Sequence, residues 1–181
     1  YDYDAPISES GQITPKYRQL RKTLAKYMYG EKQLRVPATI KSMAVNEFKL
    51  TEYAPLFDNL PQGKTDRDIR TMEEYDQGYG SILYRTELPE LKTKALLTVN
   101  EAHDFAQVFV NGKYIGKLDR RNSEKELMLP SCGKGAVLDI LVEAMGRINF
   151  GRAIKDFKGI TDKVTITEER GGHAFVCDLK N

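Results

Sequence analysis

The sequence contains no tryptophan, only two cysteines and two histidines, and no marked excess of either charge. Each shortage closes a class of function. Cys132 and Cys177 make no metal-ligand spacing. The alternation Phe175, Cys177, Leu179 fits a small buried hydrophobe on a strand face. A Cys132–Cys177 disulfide stays open, because sequence alone cannot place two thiols within bonding distance. His103 and His173 have no Cys or Asp partner at ligand spacing, so neither a metal site nor a cofactor is expected. With 28 basic and 26 acidic residues the chain has no global field that would gather nucleic acid or an anionic membrane. The local cluster Lys16, Arg18, Arg21, Lys22 and Lys26 recurs at helical spacing and lacks an aromatic stacking platform, which makes it a solvated face. Apolar runs fall far short of the ~20 residues of a membrane span. No leader peptide is visible either, which leaves the compartment open.

What is present is mostly strand-like. The 181 residues suffice for one domain with a real core, or one domain and an appendage, but not for a complete eight-fold barrel, which needs ~200 or more. Thr14 followed by Pro15 is a helix start, and Tyr17, Leu20, Leu24 and Tyr27 or Met28 then recur at three- and four-residue steps up to Gly30. This predicts an amphipathic helix of about four turns whose apolar face needs a cover. The polar stretch 31–37 ends in proline and marks a boundary, giving domains 1–33 and 34–181. Beyond it the period becomes two, with strands expected at 45–50, 80–88, 95–99, 105–110, 113–118, 124–129, 137–143, 163–167 and 174–179. Many short strands separated by Gly, Pro, Asn and Asp predict a mainly β, antiparallel sandwich. Asn111-Gly112 predicts a type I′ hairpin, and the nearly continuous apolar run 137–142 a central strand covered on both faces. The charged segment 58–74 reads as an exposed loop that buries little.

Several blocks carry a resemblance. Tyr1-Asp2-Tyr3-Asp4-Ala5-Pro6-Ile7-Ser8-Glu9 with Thr14-Pro15-Lys16-Tyr17 opens the chain. Met72-Glu73-Glu74-Tyr75 with the run Tyr79 to Thr86, then Phe109 to Gly116 with Leu118-Asp119-Arg120, follow in order. The longest block is Leu138 to Gly151 with Ile154-Lys155-Asp156-Phe157-Lys158-Gly159-Ile160. Together they resemble the glycoside hydrolase family 35 β-galactosidases. The resemblance implies that residues 1–33 end a catalytic (β/α)8 barrel and that residues 34–181 form a jelly roll of the galactose-binding-like type. The chain opens on the first motif without an initiator Met, so it is expected to be a piece of a longer enzyme whose catalytic glutamates lie upstream. By resemblance Tyr3 helps hold galactose in that parent, where its ring packs on the sugar and its hydroxyl hydrogen-bonds; Tyr1 is a weaker candidate for the same wall. The partners implied are the barrel of the same polypeptide and a galactoside substrate, in an extracytoplasmic setting (periplasmic, secreted or lysosomal).

The residues themselves hold little chemistry. Retaining glycoside hydrolysis needs two carboxyl groups ~5–5.5 Å apart in different enclosed settings. Asp2 and Asp4 alternate on an extended terminus with nothing to bury them, while Glu73-Glu74 and Glu168-Glu169 are neighbours that a strand sends to opposite sides. All three pairs read as surface carboxylates, and no catalytic residue is assigned. Arg147, Asn149 and Phe150 fall in a turn between strands; Arg147 is read as tying that loop to carbonyls or to a carboxylate such as Glu143 or Asp156, against the alternative of gripping sugar over Phe150. Two functions follow: a non-catalytic β module that supports the barrel, or a galactoside-binding module with its own site. The missing tryptophan weighs against the second, since Tyr17, Tyr27, Tyr84 and Tyr114 fall at core or strand positions.

Overall fold

A computed structural model describes residues 3–28, 35–36, 38–170 and 173–178, with the backbone alone for 170 and 173–178. The chain divides into two compact units, Tyr1–Tyr53 and Ala54–Asn181. In the first unit, helix α1 spans Pro15–Leu24. Thr14 is its N-cap, its hydroxyl oxygen accepting from the Tyr17 N–H at 3.4 Å, and Pro15 occupies a position whose N–H would have no partner. Arg21 and Lys22 in the last turn complement the negative end of the helix dipole. The helix is shorter than its apolar spacing predicts. After Leu24 the bonds run from Lys26 to Thr23 O and from Tyr27 to Leu24 O, three residues back, which tightens the chain into turns. Gly30 and Pro37 lie outside the described residues. The strand expected at 45–50 does not form: that stretch is exposed and irregular, because alternation without a neighbouring strand leaves its backbone unpaired.

The second unit is built of antiparallel strands. They are β1 (Ser81–Glu87), β2 (Ala95–Val99), β3 (Ala102–His103), β4 (Phe105–Val110), β5 (Lys113–Asp119), β6 (Glu126–Leu129), β7 (Val137–Glu143), β8 (Gly159–Ile160), β9 (Val164–Arg170) and β10 (His173–Asp178). One sheet has the order β1-β7-β4-β5, the other β10-β9-β2-β6, and β3 pairs with β8. Period-two alternation sends Ala106, Val108 and Val110 of β4 and Leu138, Ile140 and Val142 of β7 into the core. From the other sheet come Ala95, Leu97 and Val99 of β2 and Val164 and Ile166 of β9, all in one buried cluster. Each large aliphatic side chain there contributes about 1.5–3 kcal/mol by leaving water. Strand β7 lies inside its sheet, as its apolar run predicts. Its outward Asp139 is 1% exposed, covered by Arg85, whose Nε and Nη2 reach the carboxylate at 2.7 and 3.1 Å.

Two local expectations change, and two short strands are added. The 58–74 segment is not wholly solvent: Ile69 packs on the core and Met72 is fully buried within it. Strand β6 begins two residues late because Glu124 turns back to accept from the Asp119 N–H at 2.9 Å. Strands β3 and β8 are too short to show an alternation. Cys132 carries a free thiol and sits half-buried against the core, its backbone bridging to Leu91; the side chain of Cys177 lies outside the described set. Among the described residues no helix is long and apolar enough to cross a membrane.

Asn111 and Gly112 join β4 to β5 with φ of 49° and 74°, the doubly left-handed geometry of a type I′ turn. A side chain at residue 112 would meet open space, so its cost is backbone strain alone. Gly112→Val is therefore expected to lower stability by about 1 kcal/mol or more. Thermal unfolding of the variant checks this, and an unchanged midpoint would mean that the turn tolerates a β-branched residue.

Candidate functional site

The polar centre of the second unit forms where β3 and β8 pair, with His103 opposite Gly159. That pairing brings residues 156–160 alongside 102–105. A β-bulge in β5 adds the next member. Phe109 pairs with Tyr114, but Val108 pairs with Gly116, so Ile115 is extra and every later pair slips by one. Arg120 consequently stands opposite Asp104, its N–H donating to the Asp104 carbonyl at 3.0 Å. Lys158 is 1% exposed. Its ammonium donates to Asp104 Oδ2 at 2.5 Å and pairs with Asp156 Oδ2 at 2.9 Å. Arg120 grips Asp156 with both terminal nitrogens, each at 2.9 Å, and gives a further bond to Asp104 Oδ1 at 2.8 Å. Two carboxylates and two cations thus close a neutral quartet.

Around it lies a second tier. The His103 Nδ1–H donates to the Phe157 carbonyl at 2.6 Å, with Asp156 Oδ1 3.4 Å away, and Nε2 lies 3.2 Å from Glu101 Oε2. Lys125 holds the other oxygen of Glu101 at 2.7 Å. The half-buried Tyr84 donates its hydroxyl hydrogen to Arg70 O at 2.7 Å, and the same oxygen accepts from the Ile160 N–H at 3.0 Å. Gly159 has φ +91°, and a Cβ there would strike that hydroxyl, so this position needs glycine on two counts.

Arg147 spends its guanidinium on Gly78 O at 2.6 Å, Gln77 O at 3.3 Å and Glu73 Oε1 at 2.5 Å. The expected partners are otherwise engaged: Glu143 accepts from Ser81 Oγ and the Met145 N–H, and Asp156 belongs to the quartet. Glu73 also accepts the Lys158 N–H at 3.1 and 3.0 Å. Asn149 and Phe150 are exposed in the same loop. Tyr3 is 85% exposed, in the first unit; Tyr1 and Asp2 lie outside the described residues, and Asp4 pairs with Lys16 at 2.9 Å.

Two of the carboxylates read as surface groups are not. Glu168 is buried at the end of the inward row of β9 and accepts from Thr93 N–H and Oγ1 at 2.7 and 3.1 Å. Glu73 is half-buried between Arg147 and Lys158. The quartet itself went unread. Its one sequence signal is Asp156-Phe157-Lys158, since residues two apart share a side of an extended chain.

The electrostatics oppose acid catalysis. Hydrogen bonds from Arg120, and then from Lys158, hold the Asp156 carboxyl down at about 2 against the effect of burial. Arg121 does the same to Asp119, also to about 2. Burial alone would raise Glu73, but the bonds from Arg147 and the Lys158 N–H outweigh it and its pKa falls. Lys125, and then His103, lower Glu101. A general acid must keep its proton near neutral pH, and these groups all move the other way. Burial pushes the Tyr84 phenol up to about 12, so it remains a neutral hydrogen-bonding post. Among the described residues no group of three or more His, Cys, Asp or Glu is placed to hold a metal ion.

Asp156 binds its proton more weakly folded than at its ordinary 3.8. Its contribution to stability is full above about pH 4 and is lost as pH falls toward 2, about 2 kcal/mol in all. Asp156→Asn is expected to destabilise the chain by about 3 kcal/mol at neutral pH by leaving Lys158 half-paired, and to flatten the acid limb between pH 4 and 2. Denaturant unfolding across that range reads both effects; an acid limb as steep as the wild type's would assign the loss to other carboxylates.

Comparison with known proteins places these elements. The profile of the family "Beta-galactosidase, first all-beta domain" matches residues 70–174, which contain β1 to β9, the start of β10 and the quartet. A β-galactosidase of Xanthomonas manihotis is 34% identical over 183 residues, covering 99% of this chain and 30% of that protein. Those of Bos taurus and Homo sapiens are 39% and 38% identical over 175 residues, covering 92% of this chain and 26% and 25% of theirs. The chain thus spans between a quarter and a third of the length of these relatives. By the extent of the profile match, the chain belongs to the family of the first all-beta domain of β-galactosidases.

Proposed function

We propose that the chain is the non-catalytic β region of an enzyme that hydrolyses terminal β-galactosides, and that it supports that enzyme's catalytic barrel. In this reading residues 34–181 are a jelly roll of the galactose-binding-like type and residues 1–33 are the last strand and helix of the barrel. The apolar face of α1, with Leu20 and Leu24 exposed, is the face the barrel covers. Tyr3 lines the galactose pocket of that parent, and Arg147 and Asn149 belong to a structural loop. The setting is extracytoplasmic.

The observation that carries this reading is the use made of carboxylates. Asp139, Asp119, Asp156 and Glu73 each face an arginine, and Glu168 faces Thr93. Such groups hold a fold together and have no free edge for a glycosidic oxygen. The galactoside-binding alternative has one observation in its favour, a groove of about 500 Å³ along β1 lined by Lys64, Tyr75, Gln77 and Arg85. Those groups are already engaged with one another or with neighbouring residues, however. Lys64 lies over the Tyr75 ring, Gln77 donates to Tyr79 O and Ser81 O, and Arg85 holds Asp139. Titration with galactose and galacto-oligosaccharides separates the two readings: saturable binding at millimolar or tighter would favour the alternative.

The isolated chain is expected to show no turnover of aryl β-galactosides. Turnover that vanishes on changing Asp2 or Asp4 to Asn would overturn this and reveal a catalytic pair at the first motif.

Arg147→His is expected to lower the stability of the chain by about 1–2 kcal/mol, the upper range being discounted because the guanidinium is part-exposed. In the longer enzyme, activity should fall through folded yield while the Michaelis constant stays near normal. A stable variant with a raised Michaelis constant would mean that Arg147 acts on substrate.

A further inference from the structure

Strand β1 is an edge of its sheet: β7 pairs with it on one side, and no described strand lies on the other. The register fixes which main-chain groups face that edge. Gly80 O accepts from the Ala144 N–H at 3.1 Å and the Leu88 N–H donates to Ala136 O at 2.7 Å, so the even residues of β1 bond to β7. The odd residues turn their N–H and C=O groups the other way. At the start of the edge the Gln77 amide donates to Ser81 O at 2.8 Å. Beyond it, the N–H and C=O groups of Leu83 and Arg85 have no partner among the described residues. The groove of about 500 Å³ runs along these same residues, with Leu56, Leu60 and Pro61 also on its lining. Edge strands are ordinarily guarded by bulges, prolines or charged side chains. The other edge of this sheet, β5, has its bulge and the exposed Lys113 and Lys117. Strand β1 runs without a bulge or a proline, and its central charge, Arg85, is drawn down onto Asp139.

We infer that the β1 edge docks an extended segment of a separate partner polypeptide, apolar at alternate positions and carrying a carboxylate between them. The main-chain row specifies the occupant. Leu83 and Arg85 present N–H and C=O groups at the repeat of a β backbone, and another extended backbone is the ligand that satisfies them all. Side chains of the incoming strand that point to one face then meet Leu56, Leu60 and Pro61, which favours apolar groups there. Lys64 selects the carboxylate: its ammonium lies 5.4 Å from the Tyr75 ring centroid and has no carboxylate partner among the described residues. A sugar ring fits less well, because it lacks the alternating N–H and C=O groups. The β1 strand of a second copy has Arg85 at its middle, where Lys64 calls for an acid. This inference goes beyond the proposed function and does not depend on hydrolysis of a galactoside.

Amide hydrogen exchange at Leu83 and Arg85, read by NMR in the 181-residue chain, tests the site with the probe peptide acetyl-Val-Glu-Val-Thr-Val-amide. Both amides are expected to exchange fast in the chain alone and about tenfold or more slowly at saturating peptide. The same peptide N-methylated at every residue has no main-chain donors and should give no protection. Lys64→Glu should weaken the glutamate peptide several-fold and favour its lysine counterpart, with the melting of the chain unchanged. Leu83→Pro removes one edge donor at a position where an edge strand admits proline, and should weaken the peptide while the even-numbered amides of β1 keep their protection. If that variant fails to fold, the N-methylated peptide still decides. No protection by the peptide, or equal protection by its N-methylated form, would overturn the inference. Three further results would overturn it by naming another occupant. Protection that grows with chain concentration assigns the edge to a second copy, and protection by lactose assigns it to sugar. Slow exchange without peptide in the longer enzyme proposed above assigns it to that enzyme's own chain.

Discussion

A lysine ammonium with almost no access to water organises the second unit. Lys158 is 1% exposed, and an unpaired charge there would be prohibitive. Asp104 and Asp156 neutralise it, Arg120 neutralises the second of them, and the four charges sum to zero. The four members come from three stretches of chain: Asp104 precedes β4, Arg120 follows β5, and Asp156 and Lys158 lead into β8. The interaction is short-ranged, so all three stretches must be in register together. Replacing such a network by apolar residues often costs nothing. What the network adds here is a single alignment of the strands around it.

The same constraint reaches the loops. The main chain of Lys158 is held on one side by Glu73 and Met72, and the chain beyond it by Tyr84 through the Ile160 N–H. Met72 is itself a core residue, so the apolar core and the polar cluster meet at one short turn. A carboxylate in such a place has given up its availability for chemistry. Asp156, with its pKa near 2, is an anion at every physiological pH. It can neither hand over a proton as an acid nor leave its cations to attack a sugar.

Much of the β scaffold was legible because its signals are local. Alternation marked β2, β4 and β7 to the residue, and Asn111-Gly112 marked the turn from β4 into β5. The quartet was hidden by the bulge. A two-residue turn after Val110, followed without interruption, sets Asp104 opposite Asp119, two acids facing each other. The extra residue near Ile115 replaces Asp119 with Arg120, and nothing in the alternation announces it. Asp119 then turns away to Arg121, which holds it at 2.7 Å. The strand expected at 45–50 failed for the opposite reason: the pattern was there, but a strand also needs a neighbour. The carboxylate that Arg147 bonds is Glu73, and the sequence does not point to it: Glu73 is distant along the chain and is held near by Met72, which is buried in the core.

Charge and apolar surface have exchanged their usual places in the 147–158 loop. Hydrophobic burial commonly orders a surface loop, with charged groups left to water. Here charged groups order it, and the apolar groups are left outside. The core is closed without them, since Leu138, Ile140 and Val142 fill the β7 side and Leu97, Val99 and Ile166 the other. Drawing Phe150 or Ile154 inward would need a cavity that the packed core does not have. Polar bonds to Glu73 and to the quartet are directional, so they fix the course of the loop while contributing little area. A loop held in that way takes its order from its anchors at Glu73 and the quartet, and not from burial of its apolar side chains.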